Sequence, residues 1–247
     1  MIDIKGKISV IMPAFNEAEV IKKNVLDTII TFKNFGKEFE IIIIDDGSTD
    51  NTWQEIKEIA EKFTEVKATR NMQNYGKGRA LKKGFRFATG DYVVFLDSDI
   101  DLHPAQLETF FDIMELDNTE VVIGSKRHPN SVLNYPLERK IISSVYFFLI
   151  KLMFGLPVRD TQTGLKLFKR EVLEKIFPKI VVKAFAFDLE ILANAHRLGY
   201  KIAEAPVHID SKRKFGRIGI KEIFETWVDT LAIFYRMYIL RFYDKVK

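Results

Sequence analysis

A chain of 247 residues with 47% hydrophobic content can bury one sizeable α/β core, and no Pro-, Gly- or Ser-rich linker divides it. It contains no cysteine, which excludes a disulfide framework, a thiolate metal site and a cysteine nucleophile. A formal net charge of +4 is too small to argue for nucleic acid as a partner.

Met1 to Lys7 hold no apolar run of the signal-peptide kind, so a reducing, cytoplasmic setting is expected. Ile8-Ser9-Val10-Ile11-Met12 reads as a strand that passes through Pro13-Ala14-Phe15-Asn16-Glu17 into a helix. A second strand over 40–44 runs into Asp45-Asp46-Gly47-Ser48-Thr49-Asp50 and a helical pattern over 52–62. The segment Asn71 to Arg79 lacks the Walker A spacing and its hydroxyl residue, so it predicts a turn before a helix over 79–88, with Lys77 or Arg79 within reach of a nucleotide. Tyr92 to Leu96 is a continuous apolar run, as expected of a parallel strand buried on both faces, and it ends in Asp97-Ser98-Asp99. Asp101, just before Pro104, either starts the helix expected over 105–114 or joins the two acids ahead of it.

Three strand-to-helix junctions thus carry polar loops at one edge of one sheet, where ligands of open α/β sheets gather. Asp97 and Asp99 are hard oxygen donors that suit Mg2+ or Mn2+, and such an ion can bridge the phosphates of a nucleotide. Asp45 and Asp46 have a local reading as well, since Asp-Gly-Ser after a strand makes a good turn and cap.

In the second half, Arg139 and Ser143 lie four apart and share a face if helical. Residues 141–154 are nearly all apolar yet too short to span a bilayer, which needs about 20 apolar residues. Asp188 either caps a helix over 189–197 or, with Glu190, faces the cleft as a base. After the basic run Lys212 to Arg217, an amphipathic pattern from Ile220 turns aromatic and basic over 232–243, a composition suited to a membrane interface. Packing on the sheet or on a second subunit is the competing reading, and an oligomer stays possible.

The ordered set Pro-Ala-Phe-Asn-Glu, Asp-Asp-Gly-Ser and Asp-Ser-Asp resembles family 2 of the inverting GT-A glycosyltransferases. Downstream, Val121 to Arg127, Asn134 to Lys140 and Arg159 to Phe168 resemble the polyprenyl-phosphate hexose synthases, among them the dolichyl-phosphate mannose and glucose synthases. The resemblance implies a Rossmann-like GT-A domain over 1–218, with a mostly parallel central sheet flanked by helices, and a C-terminal amphipathic helix over 219–247. It implies a base and ribose pocket of Pro13, Phe15, Glu17 and Asp45, with Asp46 and Ser98 beside the nucleotide. Asp97, Asp99 and Asp101 would serve the metal, and Lys126, Arg127, Arg139 and Ser143 the acceptor phosphate. Asp160, Gln162 and Asp188 would line the sugar site, and Arg213 and Arg217 a loop over the diphosphate.

The activity so implied is metal-dependent, inverting transfer of glucose or mannose from a UDP- or GDP-linked donor to dolichyl or polyprenyl phosphate. The protein would work as a peripheral protein at the inner face of a membrane. A phosphate monoester, with a second pKa of about 6, needs no general base, whereas a sugar hydroxyl does. The alternatives are a family member acting on a saccharide hydroxyl, which Asp188 or Glu190 would serve as base, and a non-catalytic membrane-associated scaffold.

Overall fold

Four consecutive isoleucines, Ile41 to Ile44, send branched side chains to both sides of a strand, so that strand has to be covered on both faces. The computed structural model describes residues 5–133, 137–183, 186–209 and 220–246, and side chains within these except 133, 137–145 and 220–223. In chain order, β1 (Ile8–Ala14) leads to α1 (Ile21–Asn34), β2 (Phe39–Asp45) to α2 (Thr52–Lys62), β3 (Val66–Arg70) to α3 (Lys77–Phe85), and β4 (Tyr92–Phe95) through a 3-10 turn to α4 (Leu107–Leu116). There follow β5 (Val121–Ser125), β6 (Val132–Leu133), α5 (Leu137–Phe154), β7 (Lys166–Lys169), α6 (Arg170–Ile176), α7 (Phe187–Arg197), β8 (Ile202–Pro206) and β9 (His208–Ile209). The described chain closes with α8 (Ile220–Phe234), a π-helical turn Tyr235–Ile239 and α9 (Phe242–Lys245).

Among the described residues seven strands form one sheet in the order β3-β2-β1-β4-β7-β5-β8. The first four run parallel, β7 is antiparallel to both β4 and β5, and β5 and β8 are again parallel. Side chains alternate between two cores. Ile11, Ile42, Ile44, Val93 and Phe95 pack on one face with α3, α6 and α7, while Val10, Met12, Ile41, Ile43 and Val94 pack on the other with α1, α2 and α4. The sequence-based expectation of a mostly parallel sheet flanked by helices is met.

The order β2-β1-β4 makes the crevice beyond β1 and β4 a topological switch point, and the loops after β1, β2 and β4 all open there. Two helix starts differ from expectation. The turn into α4 is capped by His103, whose Nδ1 accepts from the Ala105 amide at 3.2 Å, so Asp101 is not the starter. Helix α3 begins earlier than expected, at Lys77, because the Gly76 amide is tied to Asp46 Oδ2 at 2.8 Å and fixes the turn there.

The C-terminal segment over 219–247 was read as an interfacial helix with packing on the sheet as the competing reading, and one of its faces is packed. Ile233, Met237 and Tyr243 are buried in the same core as β4 and α7, and Tyr146 of α5 meets Trp227 of α8 edge to face at 5.4 Å. The opposite face of the segment, including Leu231 and Ile239, is exposed.

Candidate active site

Beyond Phe95 the chain leaves the sheet and folds back on itself. The Ile100 amide donates to the Asp97 carbonyl at 3.2 Å and the Asp101 amide to Asp99 Oδ1 at 3.3 Å. Ile100 takes a left-handed φ of 48°, which costs a β-branched residue about 1–3 kcal/mol. That strained turn brings Asp97, Asp99 and Asp101 to the wall of one cleft, completed by Lys126, Gln162, Thr163 and Gly164.

The charges there oppose one another. Lys77, at the start of α3, holds Asp97 Oδ1 at 2.5 Å. Burial disfavours the Asp97 charge, but Lys77, Lys166 and Lys126 outweigh it and keep the carboxyl below its ordinary value. Asp99 goes the other way: burial and the neighbouring Asp97, Asp101 and Glu17 push its carboxyl up to about 6. A carboxylate crowded by carboxylates is relieved by a divalent cation, so the donor set fits Mg2+ or Mn2+. Among the described residues no three His, Asp or Glu form a ready cage. Asp97, Asp99 and Asp101 therefore share a cleft without making a closed three-carboxylate site, and a cation there would draw further ligands from phosphate oxygens and water.

The edge where a nucleotide is expected is built by the loops after β1 and β2. Phe15 stays exposed at the crevice, beyond Pro13 and Ala14 of β1, and the next residue, Asn16, has φ 54°. The left-handed turn is held by Ser48 Oγ, which accepts from the Asn16 amide at 3.0 Å, and by Asn16 Oδ1, which accepts from the Thr49 amide at 2.9 Å. Glu17 is buried, its amide bonded to Thr52 Oγ1 at 2.8 Å. Asp45 is fully buried and lies 2.8 Å from Arg70 Nε, while its Oδ1 accepts from the Ser48 amide. Asp46 is engaged by the 71–76 loop, accepting from Asn71 Nδ2 at 2.7 Å and from the Tyr75 and Gly76 amides. It shapes the loop that presents Lys77. Ser98 is buried, its carbonyl accepting from Asn24 Nδ2 at 2.7 Å.

On the opposite wall Asp160 organises two loops. Its Oδ2 accepts from the Lys126 amide at 3.0 Å and from Thr163 Oγ1 at 2.7 Å, and its Oδ1 from the Gln162 amide. Burial opposes its charge, yet Lys126 and these donors hold the carboxyl below the usual range. Gln162 lines the cleft, and Arg127 lies over the Phe147 ring at 5.1 Å. Arg139 and Ser143 fall on α5, before the first of its described side chains, and Arg213 and Arg217 lie outside the described residues.

Neither expected base stands free in the cleft. Asp188 is buried within the first turn of α7 and accepts from Lys166 Nζ at 2.7 Å, so it is not a helix cap, and Ala186 occupies the cap position. Glu190 is fully buried: Oε2 accepts from the Val181 and Val182 amides at 3.0 and 2.8 Å, and Oε1 from the Tyr243 hydroxyl. It ties the C-terminal helix to the loop before α7, which corrects its reading as a catalytic candidate.

Three residues that matter here gave little or no sequence signal. Lys77 was expected only loosely near the nucleotide, and Lys166 and Gly164 fell inside the Arg159 to Phe168 motif with no role of their own. A lysine interrupting an apolar strand two residues after a Gly-containing loop was the available clue. Gly164 packs so tightly on Asp97 that an added methyl would overlap its Oδ2. Gly164→Ala is thus expected to displace that carboxylate and cut donor binding at least about tenfold, while melting shifts by only a few degrees, since the cost falls on one side chain at the cleft surface. Donor titration and thermal denaturation of the same sample check this, and unchanged donor affinity would separate Gly164 from the Asp97 geometry.

The family model described as glycosyl transferase family 2 matches residues 9–177, more than half of the chain. Glycosyltransferase AglD of Haloferax volcanii is 30% identical over 208 residues, 83% of this chain and 33% of that protein. The dolichyl-phosphate beta-glucosyltransferases of Dictyostelium discoideum and Saccharomyces cerevisiae are 34% and 33% identical, each over 81% of this chain and over 65% and 66% of their own lengths. The chain therefore spans a third of the first and just under two thirds of the others. Among solved structures, glucosyl-3-phosphoglycerate synthase from Mycobacterium tuberculosis with Mn2+, UDP-glucose and phosphoglyceric acid superposes with a TM-score of 0.68 at 21% identity, covering 94% of this chain and 79% of that one. That likeness establishes a common fold.

Proposed function

Because the chain belongs to glycosyl transferase family 2, we propose that it moves a hexose, glucose in preference to mannose, from a nucleotide sugar to a polyprenyl phosphate. The observation that carries this reading is the engagement of both expected bases, Asp188 by Lys166 and Glu190 by Tyr243 and two backbone amides. A hydroxyl acceptor needs a base at that wall, and a phosphate dianion is nucleophilic without one. The names of the relatives in Dictyostelium and yeast support both the acceptor class and glucose.

In this reading an acceptor phosphate oxygen attacks the anomeric carbon in line, the bond from that carbon to the diphosphate breaks, and the nucleoside diphosphate departs with inversion. A divalent cation, when bound at Asp97 and Asp99, would supply charge neutralisation for the departing diphosphate. The protein's own work is to hold two anions together. Lys77 stands beside the acidic corner on the donor side, and Arg139, with Lys126 on the facing wall of the cleft, would grip the acceptor phosphate.

The acceptor side also carries the apolar surface that a lipid substrate calls for. Phe148 and Leu152 of α5 and Phe224, Leu231 and Ile239 of the C-terminal helices are all more than half exposed. Among the described residues no helix is long and apolar enough to cross a membrane. We therefore propose peripheral contact with the inner membrane surface, with Lys151 among the exposed positions beside Phe148 and Leu152.

The test is transfer from labelled UDP-glucose, UDP-galactose and GDP-mannose to dolichyl or undecaprenyl phosphate, with a free saccharide as the competing acceptor. Arg139→Ala should raise the KM for the lipid phosphate by roughly one to two orders of magnitude, the loss of a charge-assisted contact of about 1.5–3 kcal/mol, with donor affinity unchanged. Equal loss for donor and acceptor would move Arg139 out of the acceptor site. Transfer to saccharide alone would replace the lipid reading with the hydroxyl one.

A further inference from the structure

Lys166 opens β7 and pairs across the sheet with Phe95, two residues before Asp97. It is 1% exposed. Cross-strand partners share a face of the sheet, so the lysine lies under the acidic corner, near enough for its field to act on Asp97. An ammonium buried there must find an anion, since an unpaired buried charge is strongly destabilising. Two candidates are near, and the geometry shows which one it takes. Nζ donates to Asp188 Oδ1 at 2.7 Å and also to the Thr163 carbonyl. Asp188 sits in the first turn of α7, where the amide dipoles favour a carboxylate. Asp97 keeps Lys77 alone as its direct ion-pair partner among the described residues.

We infer that Asp188 is a positioning residue: it draws Lys166 away from Asp97 and so leaves the charge of Asp97 available to the cation and diphosphate of the donor. This rests on the donor-site reading above and assigns Asp188 a different task from base or sugar ligand. Without the Asp188 charge, an ammonium at Lys166, which burial already disfavours, has to be compensated by Asp97, the other carboxylate whose field reaches it. The acidic corner then carries two lysine partners, and its attraction for a divalent cation falls.

The experiment measures Mn2+ binding to the nucleotide-free protein by electron paramagnetic resonance, with melting temperature recorded alongside, for wild type, Asp188→Asn and the double variant Asp188→Asn/Lys166→Met. Asp188→Asn should weaken Mn2+ binding about tenfold, the effect of one added charge close to the ligand carboxylates. The double variant should return to within about threefold of wild type although it still lacks the Asp188 carboxylate. A purely structural role, or a role as base, predicts a lower melting temperature or lost transfer with Mn2+ affinity unchanged in Asp188→Asn, and that result overturns the inference. A double variant as weak as the single one overturns it too. Should Asp188→Asn alone not fold, the double variant, in which no charge is left unpaired, decides by itself: binding more than about threefold weaker than wild type counts against the inference. Absence of Mn2+ binding in the wild type would defeat the donor-site reading itself, and it is distinguishable because it does not depend on residue 188.

Discussion

Asp99→Asn is expected to lower hexosyl transfer by at least about a hundredfold with little change in melting temperature. The substitution keeps the volume and an oxygen that accepts the Asp101 amide, the one hydrogen bond among the described residues in which this carboxylate holds backbone. What it removes is the charge that burial, together with Asp97, Asp101 and Glu17, already makes costly enough to push the carboxyl up to about 6. Such a charge persists at neutral pH for a use other than folding, and cation binding is the use proposed for it here. Chelation of divalent metal should reproduce the loss. Asp97→Asn should lose transfer to a similar degree, and it should also alter stability because it leaves Lys77 without its ion-pair partner. Near-normal transfer by Asp99→Asn in metal-free buffer would sink the central claim.

Deletion of residues 236–247 is expected to lower the melting temperature by on the order of 10 °C or more. Tyr243 is almost completely buried and its hydroxyl donates to Glu190, which has no exposure at all. Losing a buried aromatic side chain costs about 3–5 kcal/mol, and losing a hydrogen bond to a buried charged group about 1.5–3 kcal/mol. For a protein of this size each kcal/mol is worth about 2–4 °C. Donor binding should fall as well. Glu190 holds the Val181 and Val182 amides, the neighbouring Lys183 carbonyl accepts from the Gly78 amide at 3.0 Å, and Lys77 beside it grips Asp97. Of the two readings of this segment, interfacial helix or packed element, its buried face takes the second, and one apolar face stays exposed. Tyr243→Phe isolates the hydroxyl and should retain most of the packing. Membrane contact is better tested with Leu231→Ser and Ile239→Ser, both exposed, whose partition to anionic liposomes should drop while melting stays near wild type. A deletion variant that melts like the full chain would contradict the buried role of Tyr243.

The chain by itself determined the parallel strands β1, β2 and β4 and the identity of the loops that follow them. Runs such as Ile41 to Ile44 and Tyr92 to Leu96 are local signals, because a strand buried on both faces has to be apolar at every position. The acids that follow them mark the ends at which parallel strands expose ligands. Hence the crevice, the Asp97-Ser98-Asp99 corner and the family resemblance are all legible in the sequence. What each carboxylate does there could not be read in this way. Asp46, Asp160, Asp188 and Glu190 look alike in sequence as acids near turns or helix starts. Their roles depend on partners 29, 34, 22 and 53 residues away, at Tyr75, Lys126, Lys166 and Tyr243. A hydrogen bond or ion pair over such separations is set by how strands and helices stack, and no local period or propensity records it. For the same reason the aromatic C-terminal helix could be recognised as amphipathic from its spacing alone, while which of its faces is buried was decided by the core it meets.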